Sequence, residues 1–137
     1  MISKKYTAET IQYRNLFESL TGARVKDCFS NDKIIFVIEK GDINRAVGRN
    51  GETIRRAENI FKRQLKIIEF DDDLIKFVKN AIMPIKALDI KLEDNNIIIT
   101  ADSMTDKGRL IGRDSKNLIK LKELISNYFS INNVKVK

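Results

Sequence analysis

The sequence predicts an α+β protein made of two copies of one unit, each helix-strand-strand-helix-helix-strand. Three observations predict it. Apolar spacing switches between helical and extended periods in that order twice along the chain. The two halves align without gaps at an offset of 64 residues from the hairpin's second strand through the long helix. In each half a loop that opens on glycine separates the last two helices. The expected domains are residues 1–70 and 71–137, each with a three-stranded mixed sheet covered by helices on one face.

In the first half, Tyr13, Leu16, Phe17 and Leu20 recur at helical spacing, so Thr7–Leu20 reads as a helix with Gly22 as its stop. A strand follows over Val25–Phe29. Ser30-Asn31-Asp32 is a turn cluster, and the apolar run inside Lys33–Glu39 is the hairpin partner. That run lacks polar alternation, so both sheet faces are expected to be covered. Asp42–Val47 forms a short helix into the loop Gly48–Gly51. The next helix runs to about Gln64, with Ile54, Ala57, Ile60 and Phe61 facing the core and Arg55, Arg56, Lys62 and Arg63 on the flanks and outside. Leu65–Glu69 is the third strand.

The second half repeats the order. Asp71-Asp72-Asp73 could suggest a metal site, but it precedes Leu74, Ile75, Val78, Ala81 and Ile82 at helical spacing, and acids favour a helix N-terminus. Capping is the better reading. Pro84 ends that helix. Leu88, Ile90 and Leu92 alternate with charged residues in a half-buried strand over Ile85–Glu93, Asp94-Asn95-Asn96 turns the chain, and Ile97–Ala101 pairs back. Helices are expected over Asp106–Ile111 and Lys116–Phe129, then a strand over Val134–Lys137. In the alignment Arg45 falls on Arg109, Gly48 on Gly112 and Arg49 on Arg113, while Ile54, Ala57, Ile60 and Phe61 fall on Leu118, Leu121, Leu124 and Ile125. A repeat that spans core and loop together outweighs any one short motif. Within each unit the hairpin is antiparallel, and the crossover through the helix pair makes the last strand parallel to its neighbour.

Composition narrows the chemistry. The 137 residues hold 26 Lys+Arg against 19 Asp+Glu, a net charge of +7, which favours an anionic partner. Histidine is absent, which removes imidazole acid–base catalysis and imidazole metal sites. The single cysteine, Cys28, can form neither an internal disulfide nor a zinc knuckle and sits in an apolar stretch as a small core residue. No nucleophile–base pair stands out, so neither an enzyme nor a cofactor, metal or small-molecule substrate is expected. No apolar run follows Met1-Ile2-Ser3-Lys4-Lys5 and nothing is long enough to span a membrane, so a cytoplasmic protein is expected.

The loop supplies a positive reading. Gly48 and Gly51 can take backbone angles closed to other residues and put no side chain in the way of a polyanion. The amides and positive dipole end of the following helix attract phosphate. A Gly-x-x-Gly loop between the last two helices of this element order resembles the type II KH domain. The tandem pair resembles the RNA-binding core of the NusA family of transcription factors, in its short archaeal form. Three segments carry the likeness: Val47-Gly48-Arg49-Asn50-Gly51-Glu52-Thr53-Ile54-Arg55, Phe77–Pro84, and Leu110-Ile111-Gly112-Arg113-Asp114-Ser115-Lys116-Asn117-Leu118.

The resemblance implies a sequence-tolerant binder of single-stranded RNA that modulates transcription termination or antitermination. RNA polymerase is a second candidate partner, but its contact does not simply carry over from the longer bacterial relatives. It places Gly48, Arg49, Asn50 and Gly51 on the phosphates, Arg45, Arg55 and Arg56 as nearby charge, and Lys66 on the far wall of the groove. In the second half Gly112, Arg113, Ser115, Lys116 and Lys120 would play the matching parts, with Arg109 the counterpart of Arg45. There the last loop glycine is Ser115, able to cap the helix but narrowing the approach, and Asp114 would repel phosphate. Residues 1–70 carry 14 basic against 9 acidic side chains and residues 71–137 carry 12 against 10, so the first half is the stronger expected binder. The rival classes are a KH protein of the ribosome or its assembly, and an interaction scaffold with vestigial loops.

Overall fold

The computed structural model describes residues 7–137, and the polar opening Met1–Lys5 lies outside them. The chain divides between Asp71 and Asp72 into two compact units. Each is α+β, with one three-stranded mixed sheet.

In the first unit, helix α1 (Ala8–Thr21) has both ends closed. The Thr7 side chain accepts from the Thr10 amide, the Thr10 hydroxyl accepts from the Thr7 amide, and Gly22 turns left-handed at φ 77°. Strands β1 (Val25–Ser30) and β2 (Ile34–Ile38) pair antiparallel, and β3 (Leu65–Glu69) lies parallel to β2 at the edge. Between them run α2 (Ile43–Val47) and α3 (Glu52–Phe61). Phe17 of α1, Ala46 of α2 and Ala57 of α3 share one core cluster with Cys28, Ile34, Phe36, Ile38 and Leu65, so all three helices cover one sheet face. Phe17 stacks on Phe36 with ring centroids 4.2 Å apart. Burial pushes the Cys28 thiol up to about 12, which leaves it an inert core residue. Phe29, Val37 and Ile68, turned by strand alternation to the other face, are buried too. The unbroken apolar run of β2 reflects that double burial.

The second unit repeats this. Helix α4 (Leu74–Ile82) starts at Asp73, whose carboxylate accepts from the Lys76 amide, so one member of the acidic triplet serves as the cap. Asp71 instead is buried and pairs with Lys40 Nζ at 3.4 Å. Strands β4 (Ala87–Glu93) and β5 (Asn96–Ala101) form a hairpin whose turn residues Asp94 and Asn95 both have positive φ, 51° and 63°. Helices α5 (Met104–Ile111) and α6 (Lys116–Ser126) lead to β6 (Asn133–Val136), parallel to β5.

Several sequence expectations need correction. Leu16 and Ile60 stand exposed, because the buried stripe of α1 runs through Thr10 and Phe17 and that of α3 centres on Ala57. In β4 only Ile90 is buried, while Leu88 and Leu92 are open on an edge strand whose register shifts between Ala87 and Asp89. The third helix ends at Phe61 because Lys62 turns left-handed, and α6 ends at Ser126 rather than Phe129. No helix among the described residues is long and apolar enough to cross a membrane.

Candidate nucleic-acid interface

The loop of the first unit is a compact turn. Gly48 ends α2 at φ 78°, ψ 174°, and its N–H returns to the Asn44 carbonyl at 2.8 Å. That backbone region is open essentially to glycine alone. A Cβ on Gly48 would also lie 2.1 Å from Thr53 Oγ1 and 2.8 Å from the Thr53 amide nitrogen, so the first turn of α3 packs directly on this residue. Asn50 (φ 55°) and Gly51 (φ 72°) then take two left-handed steps, and the Gly51 N–H closes on the Gly48 carbonyl at 3.2 Å. Arg49 and Asn50 are exposed, and Gly48 and Gly51 half-buried.

Side chains cap α1, α4 and α5, through Thr7, Asp73 and Ser103, but none caps α3 or α6. The two loops therefore lead into helix starts that no side-chain oxygen occupies, where the dipole favours an anion. Ser115 sits at the cap position of α6 without making the bond expected of it. At φ 61° its backbone is left-handed, whereas a capping residue is extended.

Four exposed arginines lie in the first turn or in the helices that flank it: Arg45, Arg49, Arg55 and Arg56. Arg45, Arg49 and Arg56 form no ion pair among the described residues. The acid nearest Arg45 in its helix, Asp42, is held by Arg24 through the backbone N–H at 2.8 Å and Nε at 2.9 Å. The Arg24 side-chain hydrogen bond holds the Asp42 carboxyl below its ordinary 3.8. Arg55 donates from Nη1 to the Asn50 carbonyl at 2.7 Å, across the loop.

The second turn has the same backbone: Gly112 at φ 75°, ψ 173°, Asp114 at φ 55°, and Ser115 at φ 61°. Its side chains differ. Asp106, the counterpart of Asp42, contacts Arg109 at 3.4 Å, so the counterpart of Arg45 is already engaged. Asp114 is exposed on the loop, and Ile119 stands where the first unit has Arg55. Arg113 is exposed, as is Lys116, with Lys120 one turn further along α6 and half-buried. Asn117 packs on Gly112 as Thr53 does on Gly48, and donates to the Arg109 carbonyl at 2.8 Å.

Lys66 lies on the sheet face opposite the one that the helices cover. It pairs with Ile35 in register, and strand alternation turns it away from the helix-packed cluster. Burial and the neighbouring Lys33 hold its ammonium below the ordinary 10.5. Arg63, expected on the outside, bonds instead to Ser30 Oγ at 2.8 Å and to the Asn31 carbonyl. Sequence reasoning also passed over Arg24, Thr53 and the reach of Arg55. A signal for the first existed: Asp42 and Asp106 both stand three residues before an arginine, a spacing that pairs them unless another cation takes the acid.

Residues 11–72 match the KH domain family. Over 96% of its length the chain is 32% identical to the probable transcription termination protein NusA of Methanococcus vannielii, covering 79% of that protein. Over 99% of its length it is 29% identical to the protein of the same name from Methanocaldococcus jannaschii, covering 76% of it. The crystal structure of APE1850 superposes with a TM-score of 0.72 at 26% identity, covering 96% of this chain and all of the other.

Proposed function

The chain belongs to the NusA family in its short archaeal form, two tandem KH domains, and from that premise we propose a non-catalytic cytoplasmic factor that binds single-stranded RNA during transcription termination or antitermination. The observation that carries this reading is the Gly48–Gly51 turn, with Arg49 and Asn50 exposed, leading into an uncapped helix and flanked along the chain by the exposed Arg45, Arg55 and Arg56. A KH loop of this kind clamps about four nucleotides of backbone. Arg49 and the positive end of α3 face phosphates, and the other arginines raise the local potential. In the second unit Gly112, Arg113, Ser115, Lys116 and Lys120 offer a weaker version of the same surface.

Neither a cofactor nor a metal is needed, since holding RNA requires only shape and positive charge. The names of the relatives speak for termination rather than for ribosome assembly. Termination acts on an elongating polymerase, which makes RNA polymerase the second proposed partner.

Titration of a labelled single-stranded RNA at increasing salt tests the reading. Affinity should fall steeply with salt as neutralised phosphates release counterions. Gly51→Asp sets a carboxylate beside Arg55 and in front of the incoming phosphate, so most of the first unit's affinity should vanish while the circular dichroism spectrum stays native. Unchanged affinity in this variant would remove the turn from the mechanism.

A further inference from the structure

We infer that Gly51 and Arg55 work as one unit: the glycine is there to admit the arginine across the loop, and Ser115 with Ile119 is the same pair with that device removed. The inference rests on the RNA-binding reading above and deepens it by assigning what the fourth loop position does.

Backbone angles favour a glycine at this position but do not demand one. Gly51 stands at φ 72°, ψ 15° and Ser115 at φ 61°, ψ 19°, so a residue with a side chain holds the same left-handed turn. The space over the turn is what differs. A Cβ on Gly51 would lie 3.3 Å from Arg55 Nη1, tighter than an ordinary contact, so a side chain there pushes the guanidinium back by a few tenths of an ångström and strains its bond to the loop. That guanidinium is where it is because Nη1 donates to the Asn50 carbonyl at 2.7 Å. One of its five N–H groups is used, and four remain.

A cation thus lies across the loop that receives phosphate, held there by the Asn50 carbonyl before RNA arrives. Ordering in advance lowers the entropy lost on binding. In the second loop the serine Cβ occupies the corresponding space and residue 119 is isoleucine, 50% exposed. Both halves of the pair change together.

A double-mutant cycle on the full chain tests this, using a fluorescein-labelled single-stranded RNA of mixed sequence. Gly51→Ser and Arg55→Ile should each weaken binding about tenfold. The double variant should bind no more weakly than Arg55→Ile alone, because serine has no arginine left to displace. Arg55→Ile should also flatten the log–log salt slope by about 0.7, one phosphate's share on a single strand. Conversely, Ser115→Gly with Ile119→Arg should tighten binding more than Ile119→Arg alone. Thermal melts of all variants confirm the fold.

Losses that add would overturn the inference, since serine would then be obstructing RNA by itself. So would a Gly51→Ser variant of native affinity. In both cases the function reading stands. A wild-type chain indifferent to RNA and salt overturns that reading and this inference with it.

Discussion

The two loops share a backbone and differ in charge. Gly48 and Gly112 sit within a few degrees of each other, as do Asn50 and Asp114. Around that common turn the first unit gathers exposed arginines, whereas the second places Asp114 in the loop, ties Arg109 to Asp106 and replaces an arginine with Ile119. Conformation and local charge are therefore set by different residues. The first glycine of the loop sets the shape, because its backbone region excludes other residues and a helix side chain packs on it. The fourth position sits in a left-handed region that serine can enter at modest cost, so it is free to diverge.

Gly48→Ala and Gly112→Ala press hardest on this comparison. Each adds strain of roughly 1–3 kcal/mol and a collision, with Thr53 Oγ1 at 2.1 Å or Asn117 Cγ at 2.7 Å. Both variants should lower the melting temperature, but only Gly48→Ala should abolish most RNA affinity. Equal losses of affinity would show that the charge difference between the loops does not matter.

A smaller effect should follow from exchanging the acid's partner. Asp106→Asn releases Arg109 and should strengthen binding about threefold, in keeping with the modest energy of an exposed pair. Arg24→Ala frees the Asp42 carboxylate to engage Arg45, as Asp106 engages Arg109, and should weaken binding by a similar factor. Titrations at one fixed salt concentration decide both.

The smallest effect concerns pH. Asp42 has its carboxyl lowered from 3.8 by the Arg24 hydrogen bond, so its contribution is fully present above 3.8 and is lost as pH falls through the lowered folded value. Arg24→Ala should therefore flatten the acid limb of a stability-versus-pH curve and leave the neutral region's slope unchanged. An unaltered acid limb would detach Arg24 from Asp42.

Much of this was legible in the sequence because it depends on local chemistry and on repetition. Element order, both loops, the Asp73 cap and the Gly22 stop follow from spacing and turn residues. What stayed hidden depends on three-dimensional competition. Which cation reaches Asp42 is decided by Arg24, 18 positions away in sequence. Periodicity marks Leu88 and Leu92 as buried, yet β4 is an edge strand with a register shift and leaves them open. Ser115 has the right chemistry for a cap and the wrong backbone for it. The Arg55 bond depends on space above a glycine, which no pattern of residue types records.

Arg63 carries a consequence for how the first unit bears load. Just past the end of α3 it grips Ser30 and the Asn31 carbonyl in the hairpin turn, lies 5.8 Å over the Tyr13 ring and comes within 3.8 Å of Glu9. Phe61, in the last turn, meets Tyr13 edge to face with centroids 5.4 Å apart. Helix α3 is thus tied at both ends, at its C-terminal end to the hairpin turn and α1, and at its N-terminal end to the loop through Thr53 and Arg55. In the proposed RNA complex, this helix would act as a strut between the loop and the sheet, so a load on the bound strand would reach the domain as a whole.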